Sequence, residues 1–248
     1  MRARLLDLGD VSAVRSQSVY HAVTAAMGPE DAPALILVRP ASAGVSVGSF
    51  KGAMPDLDFC RARRLPVAWR HDGGETNVVD GNRLCFQLAM PRERAFELGL
   101  PRDLVGRFKR LAQTSIDAYR RLGIAAVLLP VNRLAVDGRT IGRIELTEIG
   151  QGICAAAAMV FEFDFELLAG VLRTTAAAIE NSTTSIRRQL AEPPGLEAIA
   201  EAVVAASESC FGLELIPSLP TPEEMEGIYE WDEILQSKVG SRRQRLSA

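Results

Sequence analysis

Apolar positions along this chain recur with two periods, and the switches between them mark out the expected elements. Between Val11 and Met27, Val11, Val14, Val19, Ala22, Val23 and Ala26 share one helical face, and Gly28-Pro29 ends the run. Short strand patterns follow at 34–39 and 44–48, then a short helix at 57–64 and a strand at 66–69. A glycine turn separates that strand from another at 84–88. The clearest helix spans 102–122, with Leu104, Val105, Phe108, Leu111, Ala112, Ser115, Tyr119 and Leu122 three and four apart and Gly123 at its C-cap.

Residues 125–129 and 134–136 read as strands. Asp137-Gly138 predicts a hairpin that returns through 140–146. The segment 153–163 is apolar on both faces until Glu162, which predicts a central strand. Beyond Asp164 the pattern turns helical, at 165–172, 175–179 and 196–211. Thr221-Pro222-Glu223-Glu224 opens a last helix with an N-cap threonine, proline at N1 and acids in the first turn.

These elements predict an α+β fold, a mixed β-sheet built from strands within 34–163 with its flanking helices on one face. Pro193-Pro194-Gly195 is the strongest boundary signal. It divides an expected domain at 1–192 from a helical extension at 193–240 packed on it, followed by a basic tail at 241–248.

Composition narrows the class. The chain has 248 residues, 48% hydrophobic and 24% charged, with a net charge of −3, so it can bury a large core and carries no basic field for nucleic acid. No apolar stretch approaches the roughly 20 residues of a membrane span, and the first ten residues lack the apolar core of a signal peptide. A cytoplasmic protein is expected. Cys60, Cys85, Cys154 and Cys210 lie far apart, which favours reduced thiols, and with only two histidines a structural zinc site is not expected. Cys154, beside a run of alanines, reads as a small core residue. His21 reads as packed or solvated; His71 sits in the turn, with Asp72 and Asp80 its nearest carboxylates in sequence.

Candidate chemistry concentrates in Arg70-His71-Asp72-Gly73-Gly74-Glu75-Thr76, read with Asp80. A basic, glycine-paired turn between two apolar runs offers N–H groups beside a cation, which suits a carboxylate or a phosphate. Around it stand further landmarks in a fixed order. These are Ser46-Val47-Gly48-Ser49-Phe50 before the turn, then Pro130-Val131-Asn132-Arg133 and Asp137-Gly138-Arg139-Thr140-Ile141-Gly142 after it. Thr183-Thr184-Ser185-Ile186-Arg187 and the helical stretch 206–213 complete the series.

In that order the chain resembles the lipoate–protein ligase A and octanoyltransferase family, within the superfamily of biotin and lipoate protein ligase catalytic domains. The resemblance implies a tunnel beside the glycine turn that binds lipoate or octanoate. It also implies acyl transfer to the lysine of a lipoyl-domain or acyl-carrier protein, through an adenylate made from ATP and magnesium or by thioester transfer. The implied ligand-binding positions are Arg70, Gly73, Gly74, Glu75, Thr76, Asp80, Asn132, Arg133, Gly138, Thr140 and Arg143, with no metal ligands among them.

Several positions depart from the family. Thr140 stands where the family has the lysine that holds the acyl carbonyl and the adenylate phosphate. Arg133 replaces an acid, Val79 a histidine, Glu75 a third glycine, Trp69 the first of two arginines, and Arg83 stands at the usual asparagine position. A carboxylate at Glu75 repels a nucleotide and is costly at φ > 0, so the departures count against ATP. Strand alternation puts Thr140 and Gly142 on one face and Arg139, Ile141 and Arg143 on the other, so neither arginine replaces the lysine unless a bulge shifts the register. Arg133 can reach the same space from the neighbouring strand.

Three functions stay open: a divergent acyl-transferring enzyme, a non-catalytic homologue acting as a binding or regulatory subunit, and an enzyme with a different substrate that uses Glu75, Arg133 and Arg143. A partner subunit that supplies the missing cation also stays open.

Overall fold

The computed structural model describes residues 1–49, 54–71 and 73–237. The expected tail at 241–248, and Phe50 and Asp72 of the motifs, lie outside the described residues. In chain order the elements are β1 (Arg2–Val11), α1 (Arg15–Ala26), β2 (Ala34–Pro40), β3 (Gly44–Val47), α2 (Leu57–Ala62), β4 (Val67–Trp69), β5 (Thr76–Val79) and β6 (Arg83–Pro91). Then come α3 (Arg92–Glu97), α4 (Leu104–Arg121), β7 (Val127–Leu129), β8 (Arg133–Val136), β9 (Arg139–Ile149) and β10 (Gly152–Val160). The chain continues through α5 (Phe165–Leu172), α6 (Ala176–Ser182), α7 (Ile186–Gln189), α8 (Leu196–Phe211), β11 (Glu214–Pro217) and α9 (Pro222–Gln236).

The strands form a large sheet in the order β11-β1-β2-β6-β10-β9-β8-β7 and a small one in the order β4-β3-β5. In the large sheet β1 runs parallel to β2 and β11, whereas β2, β6, β10, β9, β8 and β7 pair antiparallel in turn. The fold is a mixed sheet flanked by helices, in the α+β class. β10 lies inside the sheet, as its apolar run requires, paired with β6 on one side and β9 on the other. Asp137 and Gly138 have φ of 48° and 77°, the backbone of a two-residue hairpin loop between β8 and β9.

The helices cover both faces of the sheet, not one. β2 reads Ala-Leu-Ile-Leu-Val, with both parities buried. Leu35 and Leu37 join Leu84, Phe86 and Leu88 of β6 in the core beneath α4 and α8, while Ile36, Val38, Cys85 and Ala89 face α1. A strand apolar at every position needs cover on both sides. The strands expected within 34–163 also split into two sheets instead of one, and the sheet extends through β1 and β11, which the periodicity did not reveal. β1 interleaves arginines and aspartates with leucines because it is only half-buried, with Ala3 and Leu6 as its buried apolar positions.

α9 carries the expected cap. Thr221 accepts from the Glu224 amide at 3.1 Å, and the Glu224 carboxylate accepts from the Thr221 amide at 2.7 Å. The helix packs along α1, held by ion pairs from Arg4 to Glu224 at 2.7 Å and from Arg15 to Asp232 at 2.6 Å. Trp231 places its ring 4.6 Å from His21 and 4.9 Å from His71, so α9 also buttresses the chain just after Arg70. His21 is fully buried, with its Nδ1 2.7 Å from the Gln17 carbonyl.

Candidate functional site

Between the large and small sheets lies a cavity of about 350 Å³. The face of the large sheet that carries α1 also provides its floor. In register across three strands, Gln87 of β6 stands opposite Ala156 of β10, and Ala156 opposite Glu145 of β9. The next pair along is Cys85 with Ala158, and the next Arg83 with Val160. Alanine at 156 and 158 keeps this floor low between longer side chains on either side. One end of the cavity is polar, lined by Gln17, Tyr20, Ser46 and Gln87. Phe163, Leu168, Leu172 and Ile179 line an apolar part supplied by the segments around α5 and α6.

The hairpin shapes the open edge. Arg133 pairs with Arg143 and Leu134 with Gly142, but Ala135 pairs with Thr140, so Ile141 is an extra residue in β9. The Ile141 carbonyl accepts a hydrogen bond from the buried Tyr119 hydroxyl at 3.2 Å. Ile141 and Ile144 enter the core, while Thr140, Gly142, Arg143 and Glu145 all line the cavity. The bulge therefore brings Arg143 to the same cavity as Thr140, which simple alternation forbade. Arg133, its cross-strand neighbour, lines the cavity as well and has no ion-pair partner among the described residues.

Glu75 does not sit free in the turn. Its carboxylate meets the Arg143 guanidinium at 2.9 Å, and it is not among the residues with positive φ. The strain anticipated for a glutamate at the third glycine position therefore does not arise. Arg70 is 3% exposed, paired with the Glu145 carboxylate, and donates to the Glu75 carbonyl at 3.0 Å. Gly73, at φ 64°, packs against that pair: a Cβ there would stand 2.7 Å from the Glu145 carboxylate and 3.0 Å from the Arg70 guanidinium. A Cβ on Gly48 would meet the Gly73 carbonyl oxygen at 2.6 Å. These glycines let two backbone segments and a buried ion pair come together.

Of the positions singled out in the sequence, Arg70, Glu75, Thr76, Arg133, Thr140 and Arg143 line the cavity. Gly73, Gly74, Asp80, Asn132 and Gly138 do not, and all but Gly74 have identifiable structural roles. Asp80 accepts from the Asn82 amide at 3.0 Å and pairs with Arg83 at 3.4 Å. Asn132 donates from Nδ2 to the Ile144 carbonyl at 2.9 Å, which fixes the hairpin, and Gly138 shapes its tip. Sequence reasoning missed Gln17, Ser46, Gln87 and Glu145. A glutamine inside Leu84-Cys85-Phe86-Gln87-Leu88 was the available signal, since a buried strand carries a polar side chain only where something meets it.

Cys85 lines the cavity, yet burial pushes its thiol up to about 11. Thiolate is scarce at neutral pH, so the group is not poised as a nucleophile. Iodoacetamide on the native protein at pH 8 is expected to leave Cys85 unmodified while labelling the half-buried Cys210 first, read by peptide mapping. Fast alkylation of Cys85 at pH 7 would contradict this. Cys154 is fully buried in the α1-side core. Among the described residues no group of three or more His, Cys, Asp or Glu is placed to hold a metal ion.

A bipartite lipoate protein ligase from Thermoplasma acidophilum, described together with its E2 lipoyl domain, matches the structure with a TM-score of 0.84 at 18% identity, over 97% of this chain and 96% of that one. A second structure from that organism, a putative lipoate protein ligase with bound lipoic acid, gives 0.82 at 18% identity over 97% and 99%. A lipoate-protein ligase A bound with ATP gives 0.83 at 18% identity over 97% and 98%. At these identities the likeness concerns the fold. No curated protein sequence matches the chain. Residues 14–208, however, match the family model of the lipoyl protein ligase A/B catalytic domain, and by that match the chain belongs to this family.

Proposed function

We propose that the chain binds a medium-chain carboxylic acid, the class of lipoate and octanoate, in this cavity. It acts with a lipoyl-domain carrier protein but does not ligate the acid unaided. The observation that carries this reading is the cavity's charged lining. Thr140 stands at the family's lysine position, and no lysine lines the cavity among the described residues. Arg133 and Arg143 instead face each other in register across β8 and β9 and both line the cavity, and two guanidinium groups there suit a carboxylate.

The residues present do not fit ATP well. Glu75 holds Arg143 and puts a second carboxylate, with Glu145, into the lining. Preorganised cations at a transferring group are worth several kcal/mol of barrier, and a threonine hydroxyl supplies none of that. Relatives described with lipoic acid and with an E2 lipoyl domain support the ligand class and the kind of partner. In this reading residues 1–192 hold the acid, since the lining ends at Thr183, and the described part of 193–240 supports them as an extension that adds β11 to the large sheet. Four free cysteines fit a cytoplasmic setting, and no described helix is long and apolar enough to cross a membrane.

Native mass spectrometry of the purified protein is expected to show a co-purifying small acid. Incubation with ATP, octanoate or lipoate, and an apo lipoyl domain is expected to leave the acceptor mass unchanged. An acyl mass gain on the acceptor lysine would overturn the non-ligating reading and favour the arginine pair in the lysine's role.

A further inference from the structure

The polar end of the cavity holds a buried acceptor with nothing to accept from. Gln87 is 2% exposed, and its Oε1 has no hydrogen-bond partner among the described residues. The orientation of the amide is fixed by its other end. Nε2 faces the Ser16 carbonyl at 3.5 Å, and a carbonyl only accepts, so the oxygen is the atom left over. Around it Ser46, Gln17 and the Ser16 hydroxyl already satisfy one another. Ser46 donates to Gln17 Oε1 at 3.1 Å, and Gln17 Nε2 donates to the Ser16 hydroxyl at 3.0 Å. Arg70 neutralises Glu145 across Ala156.

This end of the cavity thus calls for one neutral hydrogen-bond donor. Gln87 lies two strands across and one pleat along from Arg143, about 12 Å by strand spacing and rise, which is the reach of a medium-chain acid. We propose that the natural ligand is an acid whose far end carries a hydroxyl or an amide N–H, held by Gln87, with its carboxylate at Arg133 and Arg143. The inference rests on the acyl-acid reading above and names the acid's class. A plain alkyl end would leave the Gln87 oxygen dry and unpaired, and buried acceptors are costly in that state.

Isothermal titration with octanoate and 8-hydroxyoctanoate tests the proposal. The hydroxy acid is expected to bind the wild type about tenfold more tightly or better. Gln87→Leu is expected to abolish or reverse that preference, and Gln87→Met to do the same with less change of shape. The wild-type ratio decides the matter even where a variant fails to fold. Equal affinities, or tighter octanoate, would put the tail against Phe163 and Leu172 and overturn the inference while leaving the acyl-acid reading intact. No binding of either acid would overturn both.

Discussion

Arg70→Met is expected to cost the fold about 3–5 kcal/mol, because it leaves the largely buried Glu145 carboxylate without its partner cation. Arg70 is 3% exposed, and the Glu145 side chain is 13% exposed. The same guanidinium ties the turn to itself through the Glu75 carbonyl, and the Arg70 amide donates to the Val47 carbonyl at 2.8 Å. Urea denaturation should show the loss as a lower midpoint at unchanged slope. Adding Glu145→Gln to the variant removes the orphaned charge and should recover most of the loss. A non-additive pair is the signature of two groups acting on each other. A single-variant loss below about 1 kcal/mol would show the pair to be hydrated and of little weight.

This expectation also revises the part assigned to the glycine turn. From sequence, Arg70 beside Gly73-Gly74 reads as a cradle for a ligand anion. In the structure its charge is already matched, and Gly73 closes over the pair with φ 64° and no room for a Cβ. The turn is a structural clasp between the small sheet and β9. In the proposed reading, ligand charge goes to the hairpin edge, where Arg133 and Arg143 line the cavity.

What could be read in the chain divides along physical lines. Helices with a wide apolar stripe and definite ends were legible: α5 and α8 have the expected bounds, and α9 has its threonine cap and proline. The Asp137-Gly138 hairpin was legible because both loop residues need positive φ. β1, β5 and β11 were not, since a half-buried or very short strand leaves few periodic positions. Nor was the pairing of Arg70, because Glu145 lies 75 positions away and only the sheet register brings it close. The landmarks of the family were visible in order, but order does not say which of them touch the cavity. Gly73, Gly74, Asp80, Asn132 and Gly138 stand outside the lining, whereas the bulge at Ile141 turns Arg143 in. A bulge is decided by the partner strand and by Tyr119, neither of which local alternation can see.

Arg133→Ala should move stability and affinity in opposite directions. Arg133 and Arg143 are directly opposed across β8 and β9, and like charges in that position repel. Arg143 is relieved by Glu75 at 2.9 Å, but Arg133 has no such partner among the described residues. Removing it should therefore raise the unfolding free energy of the unliganded protein slightly, by about 0.2–1 kcal/mol. The same change takes one charged donor from the carboxylate, which is worth about 1.5–3 kcal/mol and so about ten- to a hundredfold in the dissociation constant of a medium-chain acid. Salt should weaken binding to the wild type more than to the variant, because the arginine is only partly buried. Arg139→Ala, at the exposed start of β9, removes the same charge without touching the cavity and should leave affinity unchanged. A surface arginine with no ligand would give no affinity loss in either variant, and that result would refute the assignment. A residue kept at a cost to the empty protein, and repaid only when an anion arrives, is what a binding site looks like in energetic terms.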